Sequence, residues 1–386
     1  MRRQKDYLIF EKMYREPMSS QLMLFFMLYG ITGVMPFVAA VYLLLRRGNA
    51  FAPDVTPPMR LRRWTASFFL VSALAHVWWY LFYIYSTSIN SVVYMVLVVL
   101  DSLLLFFTIA GTQLAMLQDR RRPIWPILIA MIPFVVLCGF YMAHSSELLR
   151  QIALAYILLL CLLFNAYMVF AIRQYGRWLN DNYADLENKK VWLSQVVAFL
   201  CLLLFVLYVL AEDIVFISLI HFVDIVLVVL LLWRVETLPQ LEETHPKNLP
   251  VSEGSDLSPL TSHSLSLMSN IDLSYIEQLL AKHCVDTQLY LQHDITLQQL
   301  AQTIGTNRSY LSQYFSRQGI TYNTYINNLR INHFIKHYEE ATAAGQPVSA
   351  QQLAYESGFR SYRTFSRAFM QRTGQSVTAW TRNMER

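Results

Sequence analysis

The sequence predicts an all-α protein in two parts, a seven-helix transmembrane bundle followed by a soluble helical domain. Three observations carry that prediction. The 386-residue chain is 55% apolar and only 15% charged, with a mean hydropathy of +0.33, whereas a soluble globular protein is about one quarter charged. The apolar excess is confined to Gln21–Arg234, and the chain beyond it is ordinary and polar. That polar part repeats one helical pattern at a spacing of 53 residues. The boundaries read from these changes are an N-terminal juxtamembrane segment (1–21), a transmembrane domain (22–234), a flexible linker (235–270) and a soluble domain (271–386).

Seven apolar runs have the length of about 20 residues needed to span hydrocarbon. They cover Leu22–Leu45, Ala66–Tyr85, Ser91–Leu117, Ile124–Ala143, Ile152–Ile172, Val191–Leu210 and Ile214–Trp233. The first is too long for a signal-peptide core and has no small-x-small cleavage site, so it is expected to be retained. Orientation follows from the basic residues between runs. Arg46, Arg47, Arg60, Arg62 and Arg63 follow run one; Arg120, Arg121 and Arg122 follow run three; Arg173, Arg177, Lys189 and Lys190 follow run five. The alternate loops hold only Arg150, one basic residue against twelve. The basic loops are therefore expected to be cytoplasmic, with the N-terminus outside and the C-terminus inside. Arg2, Arg3, Lys5, Lys12 and Arg15 disagree with that N-terminal placement and are outvoted. Trp64, Trp125, Trp178, Trp192 and Trp233 fall near the inferred inner boundary, where an aromatic belt belongs.

Polar side chains inside the runs need a reason, because each costs energy in hydrocarbon. His76, Asp101 and Asp224 lie near mid-span, His221 is one turn from Asp224 on the same face, and Asn165 is nearer the inner side. These five are candidates for sensing a ligand, proton or ion; the alternative is that they only hold helices together. Catalysis is not indicated. The surroundings of Asp101 and Asp224 lack the glycine-containing motif of intramembrane aspartyl proteases. The chain has no H-E-x-x-H, no G-x-S-x-G and no glycine-rich phosphate loop. Cys138, Cys161, Cys201 and Cys284 show no C-x-x-C spacing, so neither a zinc site nor a disulfide framework is suggested, and no metal or cofactor is expected.

The linker carries Pro239, Pro246, Pro250 and Pro259 among many Ser and Thr. It is expected to be a flexible tether with a reach of roughly 30–35 Å.

The soluble domain is mildly basic, with eleven Lys+Arg against eight Asp+Glu. Ile276, Leu279 and Leu280 mark one face of an opening helix. Thr296 is a plausible N-cap for a short helix ending at Gly305, and a second helix begins near Asn307. This is a helix-turn-helix pattern. Ala301 is small where the second helix crosses, and Gly305 suits a left-handed turn. Leu311 and Phe315 face the core, which leaves Ser309, Ser312, Gln313 and Ser316 outward. The pattern returns: Leu353-Ala354, Gly358, Phe365 and Phe369 match Leu300-Ala301, Gly305, Leu311 and Phe315. Between the copies, Tyr322–Ala343 reads as a connecting helix that buries Ile326, Leu329, Phe334 and Ile335.

The second copy reads Gly358-Phe359-Arg360-Ser361-Tyr362-Arg363-Thr364-Phe365-Ser366-Arg367-Ala368-Phe369, then Gly374 and Trp380. In this it resembles the AraC/XylS family of transcription regulators, whose second motif runs G-F-x-S-x-x-x-F-x-R-x-F. The resemblance covers Ile271–Asn383 and departs at Val377, where proline is common, and at Trp380, where tyrosine is common. It implies two recognition helices in successive major grooves of double-stranded DNA. Carried over by position, the base-edge candidates are Ser309, Ser312 and Gln313 in the first motif, and Tyr362, Arg363, Ser366 and Arg367 in the second. Thr306, Arg308, Arg360 and Ser361, near helix N-termini, are the phosphate candidates. The whole then reads as a non-enzymatic, membrane-embedded, one-component transcription regulator. Its expected partners are promoter DNA, the lipid bilayer and an unknown signal ligand; a homodimer is compatible. The expected location is a bacterial inner membrane with the C-terminal domain cytoplasmic. The competing reading is a transporter or channel with a regulatory helical tail, against which no repeat is evident among the seven runs.

Overall fold

The computed structural model describes residues 20–46, 48–50, 53, 56–84, 91–187, 189–210, 214–241 and 273–384. Among them are fourteen α-helices and no strand. The basic N-terminal residues, the outer turn at Glu212–Asp213 and linker residues 242–270 lie outside the described residues. The chain divides into two compact units, Met1–Arg173 with Val191–Thr244, and Gln174–Lys190 with His245–Arg386.

The first unit holds α1 (Ser20–Leu45), α2 (Met59–Ile84), α3 (Ser91–Met116), α4 (Trp125–His144), most of α5 (Glu147–Asn182), α6 (Trp192–Leu210) and α7 (Ile214–Thr237). Among the described residues, five helices are long and apolar enough to cross a membrane: Ser20–Leu45, Met95–Met116, Trp125–His144, Glu147–Asn182 and Val215–Thr237. Large apolar side chains such as Val34, Ile132, Leu163, Phe170 and Phe222 point outward rather than into the bundle. That is a poor surface for water and an ordinary one for lipid.

Two loop assignments need correction. Helix α2 begins at Met59, so Arg60, Arg62 and Arg63 belong to its first turns and not to the preceding loop. Arg62 is buried; its guanidinium donates to the Leu43 carbonyl at 2.8 Å and to that of Arg46. It thereby satisfies carbonyls that the end of α1 leaves without helical partners. Helix α5 likewise runs 36 residues to Asn182, so Arg173 and Arg177 are helical. Hydropathy marks where apolar residues stop, but a helix continues as long as its backbone can bond.

Packing in this unit uses small residues at close crossings. The Trp64 ring lies so close to Gly111 that a Cβ there would overlap it. At the end of α7 the chain stays ordered past the apolar run. Glu236 is buried and accepts from the Tyr42 hydroxyl at 3.0 Å and from the Ala50 N–H. The Gln118 side chain donates to the Pro239 carbonyl at 3.0 Å and accepts from the Leu241 N–H at 2.9 Å.

The second unit opens with α8 (Leu273–Leu280), which passes through a π-turn (Ala281–Val285) to a 3₁₀ turn (Leu289–Leu291). Then come α9 (Leu297–Thr303), α10 (Arg308–Arg317), α11 (Tyr322–Ala343), α12 (Ala350–Glu356), α13 (Tyr362–Thr373) and α14 (Val377–Met384). Helix α11 serves two cores. Its N-terminal half puts Tyr322 and Ile326 into the first, with Leu280, Leu300, Leu311 and Phe315. Its C-terminal half puts Phe334 and Tyr338 into the second, with Phe365, Phe369 and Trp380. Of the four expected core positions on α11, Ile326 and Phe334 are fully buried, while Leu329 and Ile335 are partly buried.

Candidate nucleic-acid interface

Each motif is built from local backbone chemistry. Thr296 caps α9 in a reciprocal box: its hydroxyl accepts from Gln299 N–H, and the Gln299 side chain accepts from Thr296 N–H at 2.9 Å. Gly305 then takes a left-handed turn, φ +74°. Asn307 caps α10 by accepting from Tyr310 N–H at 2.9 Å. The second motif follows the same plan with different residues. Ser349 caps α12, Gly358 turns at φ +89°, and Ser361 caps α13 by accepting from Thr364 N–H at 3.3 Å. Capping fixes where α10 and α13 start, and therefore which side chains their outer faces carry.

Those faces are polar and accessible. Ser309, Ser312, Gln313 and Ser316 are exposed on α10, opposite the buried Leu311 and Phe315. Arg363 and Arg367 are exposed on α13 and Ser366 is half-buried, opposite the buried Phe365 and Phe369. Tyr362 is half-buried, with its ring 5.6 Å from that of Phe365, so part of it belongs to the second core. Val377 and Trp380, the two departures from the family pattern, are both buried in that core.

Two such helix-turn-helix units joined by one long helix define a class of domain that presents paired helices to a duplex. A protein-family model described as "Helix-turn-helix domain" matches residues 300–383. The C-terminal part of the chain is an AraC-type helix-turn-helix domain, which points to DNA-binding regulation rather than to an enzyme. No curated protein and no solved structure gives a significant match to the chain.

The four phosphate candidates are differently placed. Thr306 is half-buried in the first turn, where its N–H donates to the Ala301 carbonyl at 2.9 Å. Ser361 spends its hydroxyl on capping. Neither Arg308 nor Arg360 is a simple solvated charge. Arg308 is half-buried and donates through Nε and Nη2 to the Asn182 side-chain oxygen, at 2.8 Å through Nε. Burial holds its guanidinium below the usual value. Arg360 pairs with Asp294, whose other oxygen takes Lys189 Nζ at 3.0 Å. Burial alone would raise the Asp294 carboxyl, but Lys189 and Arg360 outweigh it and hold the group below the usual carboxylate range.

Asn182 and Lys189 come from residues 174–190, which precede the domain by about a hundred positions yet belong to its compact unit. Tyr183 forms an isolated antiparallel bridge with Thr296, and Ala184 N–H donates to the Ile295 carbonyl at 3.3 Å. The Asn323 amide donates to the carbonyls of Tyr183 (3.2 Å) and Ala184 (2.6 Å). Ala184 is itself part of the first core. Trp178, assigned from sequence to an aromatic belt, stacks on Tyr175 and meets Tyr183 edge-on within this segment. Sequence reading missed Asn182, Asp294 and Asn323, while Asn307 stands where the second helix was expected to begin. Its signal was local, an N-cap residue opening a periodic run.

Of the five intramembrane candidates, His76 and His221 come together, with ring centroids 5.7 Å apart. Tyr29 lies 5.3 Å from the first ring and 5.4 Å from the second. Thr32 Oγ1 is 3.1 Å from His221 Nδ1. The ring and hydrogen-bond partners of His221 therefore come from α1 and α2, rather than from the Asp224 one turn away on α7 that the sequence spacing suggested. Asp101 sits on α3 and Asp224 on α7. Asn165 donates to the Cys161 carbonyl at 2.9 Å and accepts from Gln195 at 3.4 Å, a contact between α5 and α6.

Proposed function

We propose that this protein is a membrane-embedded transcription regulator that binds duplex DNA through α10 and α13. The observation that carries the reading is the matched pair of capped, outward-facing helices on one connecting helix. One face is built of Ser and Gln and the other of Arg. Gln suits adenine, and Arg suits guanine through a bidentate fork. The membrane part of the reading rests on the apolar outer surface of α1–α7, taken as seven spans with the soluble domain on the cytoplasmic side. The His76–His221–Tyr29 cluster is the place where a signal in the membrane would be felt, and a change in helix packing there would be passed to the soluble domain.

The test is selection of binding sites from random duplex DNA by the full chain in lipid nanodiscs, followed by footprinting at stated salt. The expected result is two enriched elements with centres about 34 Å apart, one helical turn. Salt-sensitive binding with no enriched sequence, or no binding, would remove the regulator reading. Replacing His76 and His221 with Gln is expected to leave the enriched sequence unchanged and to alter only the response of target expression to conditions.

A further inference from the structure

The strip Asn182–Lys190 lies on Arg308, which the first motif would use against a phosphate backbone. Arg308 gives two N–H groups to one neutral amide oxygen. That bond satisfies the fork's geometry but leaves its positive charge uncompensated. A phosphate oxygen in the same place would set a negative charge against the guanidinium and make an ion pair, which the amide oxygen cannot. At the second motif Arg360 is held by Asp294, and Lys189 of the strip shares that carboxylate. The strip is seated by backbone contacts at Thr296 and Ile295 and by one small side chain, Ala184, in the first core. Tyr183 and Lys189 of the strip are buried as well, and Lys189 is ion-paired to Asp294.

We propose that Asn182–Lys190 is an intramolecular competitor of DNA, occupying the phosphate-side Arg308 of the first motif so that the strip and the duplex exclude one another there. The inference rests on the DNA-binding reading above. Ser312, Gln313 and Arg363 stay exposed with the strip in place. The competition therefore acts on affinity and leaves sequence preference alone. The strip continues without a break from α5, one of the long apolar helices. Anything that changes how that helix ends changes how readily the strip is released.

The experiment uses the full chain in nanodiscs and the duplex selected above. Tyr183→Cys with Thr296→Cys places thiols on the bridged pair, and oxidation locks the strip down. The locked form is expected to bind the duplex at least ~10-fold more weakly than its own reduced form, equivalent to about 1.4 kcal/mol. Asn182→Ala is expected to bind severalfold more tightly than the parent, with the same enriched sequence. Equal binding by the oxidised and reduced forms, or no gain from Asn182→Ala, overturns the competition and leaves DNA binding standing. Absence of sequence-specific binding by the reduced, parent and Asn182→Ala proteins alike overturns both.

Discussion

The first helix-turn-helix motif closes its core with Ala184, a residue nearly ninety positions before α8, whereas every residue of the second core lies between Ile331 and Trp380. The second core is also the more aromatic. Phe334 meets the rings of Phe365, Phe369 and Trp380 at centroid distances of 4.5, 5.8 and 6.1 Å. Their outer faces differ in the same sense: neutral Ser and Gln on α10, cationic Arg363 and Arg367 on α13. The second core is drawn from one continuous stretch of the chain. The first is tied to another part of the chain through Ala184.

The largest effect that would break this contrast comes from Phe334→Ala. It removes a side chain with no solvent exposure from the centre of the second core and is expected to cost about 3–5 kcal/mol. Amide hydrogen exchange should show α13 deprotected far more than α10; equal deprotection would mean the cores do not differ in independence. Next, Arg367→Ala is expected to weaken specific binding by about 1–3 kcal/mol and to relax one base position. Gln313→Ala should relax a position in the other element. An equal loss on specific and random DNA would argue against base readout by Arg367.

The two turn glycines sharpen the comparison further. Both have positive φ, but a Cβ on Gly305 meets open space, while one on Gly358 would lie 2.7 Å from the Leu291 carbonyl oxygen. Gly305→Ala is expected to cost about 1 kcal/mol through backbone strain alone, and Gly358→Ala about 2 kcal/mol or more. Denaturant midpoints of the two variants would order them. The smallest effect concerns acid. His333 in the second motif packs at 3.3 Å from Ser357 Oγ. Burial, with His337 and Lys336 nearby, lowers its affinity for a proton below the ordinary 6.5, against the opposing pull of Glu340 and Glu356. A histidine depressed in the folded state takes up its proton more readily when unfolded. Stability should therefore decline as pH falls below about 6.5. His333→Gln should flatten that decline.

Much of the soluble domain was legible in the sequence, because helix-turn-helix geometry is written in nearest neighbours. Thr296 caps where the pattern puts a cap, Gly305 and Gly358 turn left-handed, and Tyr322–Ala343 is the observed connecting helix. Boundaries in the apolar half were less legible. Counting Arg62 as a loop cation could not reveal that it is buried against α1 carbonyls, since that depends on a neighbouring helix end. The engagement of Arg308 was out of reach for the same reason. Asn182 is 126 positions away, and an asparagine near the end of a helix carries no mark of its distant partner.

Arg330 has a consequence of its own. It is 1% exposed, and burial pulls its guanidinium down to about 10. It donates to the carbonyls of Tyr290 and Gln292 at 2.7 and 2.8 Å, lies over the Phe359 ring, and stands where any side chain on Gly358 would have to go. One buried cation thus fastens the turn before the first motif to the glycine of the second. That makes the domain a ruler. One extra base pair between two half-sites shifts the far element by about 3.4 Å and rotates it by roughly 35°. A jointed pair of readers would follow that rotation, whereas a pair pinned through Arg330 would lose its second foothold. Its operators should tolerate sequence drift more readily than a change of length.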